Sequence, residues 1–236
     1  MTVPDMLDWS AALPEVRYPA GVGRGELGGG VQGPVGELIE GSDRLSGYPH
    51  AHDSRPGPAG NQHRMRYIEL RRHTDNDGDR LSEQGIADAE ALGRDALHPP
   101  YSSFVSSGAA RATEMLVILR TAAHQTEVPI SLENGLRSAV EDRWREASKA
   151  AGKGASVDDM RAVDTDLVEP ESRLLGGALR RVVDALPDGG RALVVGHSPT
   201  NEAAVLGLTR QVIGPMGKGK GVLIVEDDGC YTVGSL

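Results

Sequence analysis

The stretch Met65-Arg66-Tyr67-Ile68-Glu69-Leu70-Arg71-Arg72-His73-Thr74 decides how the rest of the chain is read. Its first half alternates apolar and polar residues, the period of a β-strand, and Tyr67–Leu70 reads as one. Its end sets Arg72 and His73 side by side where the strand stops. A guanidinium can hold an oxyanion through two parallel hydrogen bonds. An imidazole can act as nucleophile or base near neutral pH. Alone, the pair is also what a solvated strand end looks like. It gains weight because Arg111 and His197 lie at similar strand-to-helix junctions further along.

Downstream of this stretch strands and helices alternate. A helix opens at Leu81-Ser82-Glu83-Gln84-Gly85 with Ser82 as N-cap, turns Ile86, Ala89, Ala91, Leu92 and Leu97 inward, and ends at Pro99-Pro100. Ser103–Ser106 reads as a short strand and Ala109 to about Ala123 as a helix. Glu141–Ala151 is helical, a Gly/Lys linker follows, and a long helix runs from about Asp166 to Leu186. Ala192–Val195 is a strand of the fully buried type, Thr200–Leu208 a helix, and Val222–Val225 with Tyr231–Val233 a hairpin around Asp227-Asp228-Gly229. Helices between strands imply an α/β fold: a three-layer α/β/α arrangement with a mostly parallel central sheet.

Upstream, residues 1–64 have a different composition. They hold 12 of the 31 glycines and 7 of the 14 prolines, with no sustained apolar period. Such a segment cannot offset its ordering entropy by burial, so it reads as a disordered extension apart from a short amphipathic turn near Leu7–Leu13. Met65 directly precedes the first strand, which makes it a candidate start of the functional chain; residues 65–236 form the expected domain. The whole chain of 236 residues carries a net charge of −9, which argues against a general nucleic-acid binder but not against a small anion held in a local basic pocket. Cys230 is the single cysteine, no apolar run is long enough for a membrane span, and no secretory signal is visible; the cytoplasm is the default expectation.

Three junctions carry the chemistry: Arg71-Arg72-His73-Thr74, Ser106-Ser107-Gly108-Ala109-Ala110-Arg111-Ala112, and Gly196-His197-Ser198. In open α/β sheets, ligands collect beyond the carboxyl ends of the strands, where helix N-termini add N–H donors. Two arginines and two histidines converging there suit a phosphoryl group.

With Leu81-Ser82-Glu83-Gln84-Gly85, these segments resemble, in order, the motifs of the histidine phosphatase superfamily, the phosphoglycerate-mutase-like fold. The match spans roughly residues 65–233. The resemblance implies that His73 attacks phosphorus and carries a phosphohistidine, that Arg72 and Arg111 clamp the phosphoryl oxygens, and that His197 donates to the same group. It implies a carboxylate that protonates the leaving oxygen and then activates water. Neither metal nor cofactor is implied, and the partner is a phosphorylated small molecule or phosphoprotein. Oligomeric state is open.

Two departures from the family pattern stand out. Thr74 replaces the usual Gly after the histidine and offers a hydroxyl to the substrate. In Leu136-Arg137-Ser138, Ser stands where the family often has its Glu. Glu141, at the start of its helix, is the favoured acid/base; Glu133 is second and Asp142 lies beside them. The mutases have a longer stretch between the first His and second Arg, and an Asn where Asp79 stands here, so a phosphatase is preferred over a phosphoglycerate mutase. A non-catalytic phosphate-binding module is the other alternative.

Three decoys are set aside. Gly214–Gly221 nearly spells a P-loop but lacks the Ser/Thr after Lys220, and reads as a mobile loop at the pocket rim. His50-x-His52-Asp53 lies in the Gly/Pro-rich segment. Asp75, Asp77 and Asp79 alternate like calcium ligands without the later spacing, and read as a solvated acidic loop.

Overall fold

The computed structural model describes residues 65–236. The expectations for residues 1–64, including disorder, the turn near Leu7–Leu13 and the His50-x-His52-Asp53 cluster, lie outside the described residues.

The elements run β1 (Arg66–Arg72), β2 (Asn76–Asp77), β3 (Arg80–Leu81), α1 (Glu83–Asp95), β4 (Ser103–Ser106), α2 (Ala110–Ala122), β5 (Ile130–Leu132), a 3-10 turn (Asn134–Leu136), α3 (Glu141–Ala151), α4 (Val157–Val163), α5 (Thr165–Asp184), β6 (Arg191–Gly196), α6 (Thr200–Thr209), β7 (Gly221–Asp227) and β8 (Cys230–Ser235). Six strands form the central sheet in the order β5-β4-β6-β1-β7-β8. The first four are parallel, β7 returns antiparallel to β1, and β8 closes the edge as a hairpin. Asp228 and Gly229 both take positive φ in the hairpin turn, as a two-residue turn between twisted strands requires.

β6 shows why a four-residue apolar run is a central strand. Ala192 and Val194 point into the core shared with α3–α6, while Leu193 and Val195 point to the opposite face, against α2 and Phe104. Both faces are covered, so every position is apolar. The two cores rest on aliphatic packing; among the described residues Tyr101, Phe104 and Trp144 are the aromatic side chains buried to 2% exposure or less.

The structure departs from the sequence expectations in several places. α1 stops at Asp95, before Pro99-Pro100, because Arg71 takes the Ala96 carbonyl at 2.8 Å and Ala96 closes the helix on Leu92. Ile86 faces outward at 43% exposure, and the inward face is Gly85, Ala89 and Gly93. The segment read as a linker contains α4, opened by a reciprocal cap between Ser156 and Asp159. The acidic run is a short hairpin of β2 and β3, and β5 adds an edge strand.

α5 and α6 pack through glycines. A Cβ on Gly207 would lie 1.7 Å from the Ser172 carbonyl oxygen, and one on Gly176 would lie 2.4 Å from the Gly207 carbonyl carbon. These obstacles are backbone atoms, which cannot rotate away. Gly207→Ala should therefore lower stability by about 2 kcal/mol or more through overpacking, read as a lower urea midpoint; an unchanged midpoint would show that the helices separate freely.

Candidate active site

The parallel register delivers the site. Arg72 lies opposite Gly196, and Ser106 opposite Val195, so β1, β6 and β4 end nearly level. The backbone continues this pairing past the strands: the His73 N–H donates to the Gly196 carbonyl, and the Ser107 N–H to the Val195 carbonyl, both at 3.1 Å. His73, His197 and Ser107 are thereby set side by side, and α2 brings Arg111 over them from its first turn.

Arg111 spans both imidazoles. Its Nε donates to His73 Nε2 at 3.1 Å, and its Nη2 donates to His197 Nδ1 at 3.2 Å. A guanidinium has no acceptor, so both ring atoms it meets carry lone pairs. The ring protons therefore sit on the other nitrogens. His73 Nδ1 donates to its neighbour's carbonyl, Thr74 O, at 2.7 Å, and His197 Nε2 donates to Ser107 Oγ at 2.7 Å. The ring centroids are 5.2 Å apart, edge to face. Both residues are under 9% exposed. Burial, then Arg111 and Arg72 against an opposing Thr74 carbonyl, pushes His73 down to about 4. Burial, then Arg111, His73 and Arg137, pushes His197 down to about 3. Both rings are neutral at neutral pH, and His73 Nε2 is a fixed lone pair facing a cation.

Arg72 approaches from the strand. Its Nη1 donates to Met216 O at 2.8 Å, and its buried Nε has no partner among the described residues. Behind it, Glu202 is 2% exposed and accepts from the Met216 N–H and from Ser198 Oγ, both at 2.6 Å. Burial raises Glu202 above the usual carboxylate range, against the attraction of Arg72. The Gly214–Gly221 segment, which the sequence suggested as a mobile loop, is held at three points. Met216 is fixed to Glu202 and Arg72, Gly219 N–H to the Arg72 and His73 carbonyls, and Lys218 pairs with Asp75.

The other sequence candidates divide. Thr74 is corrected: it is 1% exposed, and its hydroxyl proton goes to Gly85 O at 2.7 Å, bracing α1 and not facing the cavity. Gly85 is required there, since a Cβ would lie 1.9 Å from the Asp75 carbonyl oxygen. Glu133 is turned away, capping the Gly135 N–H and pairing with Arg181. Asp142 is 86% exposed and pairs with Arg145. Ser138 occupies the expected acid position but donates to Glu171 at 2.5 Å. Glu141 lines, with Arg111 and His197, a cavity of about 430 Å³, and Arg137 holds its carboxylate at 2.5 Å.

Several roles escaped the sequence reading. Asp79 accepts from Arg111 Nη1 at 2.6 Å and steadies the guanidinium. Asn201 accepts from the His197 N–H and donates to the Arg71 carbonyl, tying the two histidine-bearing junctions together. Asn201 and Glu202 sit four residues beyond His197 and Ser198, a helical spacing that could have signalled them.

No family model and no curated protein matches this sequence. Its fold matches solved structures. A phosphoglycerate mutase from Bacillus anthracis str. Sterne superposes with a TM-score of 0.56 at 22% identity, covering 74% of this chain and 93% of that one. Bacillus stearothermophilus YhfR superposes with a TM-score of 0.50 at 18% identity, covering 72% and 96%. The chain has the phosphoglycerate-mutase-like α/β fold.

The buried imidazoles set a pH dependence. Their folded values lie below the ordinary 6.5, so between 6.5 and about 3 the unfolded chain binds protons that the folded chain refuses. Stability therefore falls as pH falls through this window. A His73→Gln, His197→Gln double variant should lose urea stability less steeply than the parent between pH 6.5 and about 4. An unchanged slope would show that the rings are not held as neutral bases.

Proposed function

We propose that the chain is a metal-independent phosphatase acting on phosphomonoesters or phosphohistidine through a covalent phosphohistidine at His73. The observation that carries this reading is the arrangement of His73. Its Nδ1 proton is committed to Thr74 O, and its Nε2 lone pair faces Arg111, beside Arg72 and His197. That is a nucleophile with its tautomer fixed, inside a cationic ring.

In the proposed reaction, His73 Nε2 forms a bond to phosphorus as the bond to the leaving oxygen breaks. Arg111 and Arg72 pass from their resting partners to the phosphoryl oxygens and offset the charge that spreads over them. His197 Nδ1 accepts from Arg111 in the free protein; a phosphoryl dianion stabilises its protonated form, which then donates to the anion. Glu141 gives a proton to the leaving oxygen, then takes one from the water that attacks the phosphohistidine, releasing phosphate and restoring His73. The cationic side chains perform the neutralisation that a metal would supply elsewhere.

A second reading has its own observation. Ser138 is spent on Glu171, and Glu141, the carboxylate that lines the cavity, is clamped by Arg137. A site short of a proton donor would bind phosphate without turning it over.

His73→Ala should abolish hydrolysis of p-nitrophenyl phosphate, EDTA should leave it intact, and a single turnover should trap an acid-labile phosphoprotein that the variant cannot form. Turnover retained in His73→Ala sinks the mechanism; phosphate binding without any phosphoprotein favours the second reading. Glu141→Gln should cost about a hundredfold or more on alkyl phosphates and much less on aryl phosphates, whose leaving groups need little protonation. Equal losses on both would remove Glu141 from the acid role.

A further inference from the structure

The cavity lined by Arg111 and His197 runs on along helix α3, and its far end is cationic. Helix α3 forms one wall. Trp144 and Ala147 bury its inner face. On one flank Arg143 is bound by Asp164 outside the cavity. The other flank carries Glu141, Arg145, Ser148 and Lys149, and all four line the cavity. Opposite them stand Ser198, Pro199 and Thr200, at the start of α6.

The direction of this wall is fixed by charge. Arg137 bears electrostatically on His197, and Glu141 pairs with Arg137. The first turn of α3 is therefore the end near the histidines. Arg145 and Lys149 follow one and two turns further, about 6 and 12 Å along the axis at the helical rise. Their charges are not consumed. Among the described residues Lys149 has no carboxylate partner. Among the same residues Arg145 pairs with Asp142 alone, and those side chains are 74% and 86% exposed, an ion pair that costs little to break. Arg137, by contrast, is committed to Glu141. In a protein of net charge −9, a cavity lined by Arg111, Arg137, Arg145 and Lys149 against one carboxylate concentrates positive potential locally.

We propose that Arg145, Lys149 and the Ser148 hydroxyl form a second anion subsite, and that the substrate is a phosphomonoester carrying a second anionic group, a carboxylate or phosphate, seated one to two helical turns beyond Glu141. The inference rests on the phosphatase reading for which end of the substrate reacts. Its volume, about 430 Å³, lies in the range that holds a small metabolite. The wall between the two charged ends is Trp144, Pro199 and Thr200, suited to a short uncharged carbon frame.

The test compares matched pairs on the full chain: sorbitol 6-phosphate against 6-phosphogluconate, and fructose 6-phosphate against fructose 1,6-bisphosphate. The anionic member of at least one pair should show kcat/KM about tenfold higher at low salt, mainly through KM, with the preference falling as salt rises. Which pair responds tells carboxylate from phosphate. Arg145→Gln and Lys149→Gln together should bring the ratio toward unity, whereas Lys153→Gln, an equal loss of charge outside the cavity lining, should preserve it. Equal rates within both pairs, or a preference that survives the double variant, overturns the subsite. Calorimetric binding of the same pairs to the His73→Ala protein reads the preference without turnover. A tail preference there with no hydrolysis by the parent would sink the proposed reaction and keep the subsite; hydrolysis without a tail preference would do the reverse.

Discussion

The site depends on one backbone constraint, the parallel register of β1 against β6. Arg72 pairs with Gly196, and the His73 N–H continues the ladder to the Gly196 carbonyl. A slip of one residue would turn every side chain of β1 to the other face. Ile68 and Leu70 would leave the core they share with Val194, and Glu69 and Arg71 would enter it. The apolar pattern that fixes the fold therefore also fixes where the two histidines meet. Asn201 reinforces this by bonding to both junctions at once, and Gly196 admits it: a Cβ there would lie 2.3 Å from the Asn201 side-chain oxygen.

Electrostatics then follows from burial. Two imidazoles 5.2 Å apart between centroids, under shared guanidinium groups, could not both be charged at neutral pH. Keeping them neutral leaves the positive charge on the arginines. It also leaves a lone pair on His73 Nε2. In the proposed reaction, an arriving dianion would reverse the balance by stabilising the protonated ring of His197. Asp79 and Glu202 prevent the free pocket from being an unrelieved cluster of cations: one steadies Arg111 from outside, the other offsets Arg72 from beneath.

Much of this was legible in the sequence, for physical reasons. Strand β6 and helix α3 follow from periodicity, because burial on two faces or one imposes it. Arg72, His73, Arg111 and His197 were legible because each sits at a junction where a strand stops and a helix begins. The β2–β3 hairpin and β5 escaped because two or three residues carry no period. Helix α4 escaped because glycines beside it suggested a linker, although its Ser156 and Asp159 cap is a readable signal. Thr74 was misplaced for a different reason. Sequence gives a side chain's chemistry but not its direction, and the Gly85 carbonyl that takes its proton is reached only once α1 is packed. The carboxylates show the same limit: Glu133 and Glu141 are equivalent by type, and only Arg181 and Arg137 decide which of them faces the cavity.

The neighbouring arginines of β1 show how the fold allots charge. Alternation along the strand sends Arg71 and Arg72 to opposite faces. Arg71 is 4% exposed and fully engaged: Glu69 takes its Nε at 2.7 Å, and the carbonyls of Ala96 and Gly219 take its remaining groups. Tyr101 donates to the other Glu69 oxygen, and burial with that carboxylate pushes the phenol well above its ordinary range. Arg71 is thus a structural charge with no field left for a ligand. Arg72 has one carbonyl partner, an unpartnered Nε, and a carboxylate whose own ionisation is resisted by burial. Its charge is the less compensated of the two. Of two residues identical in type and adjacent in sequence, the sheet makes one a brace and leaves the other available to an anion.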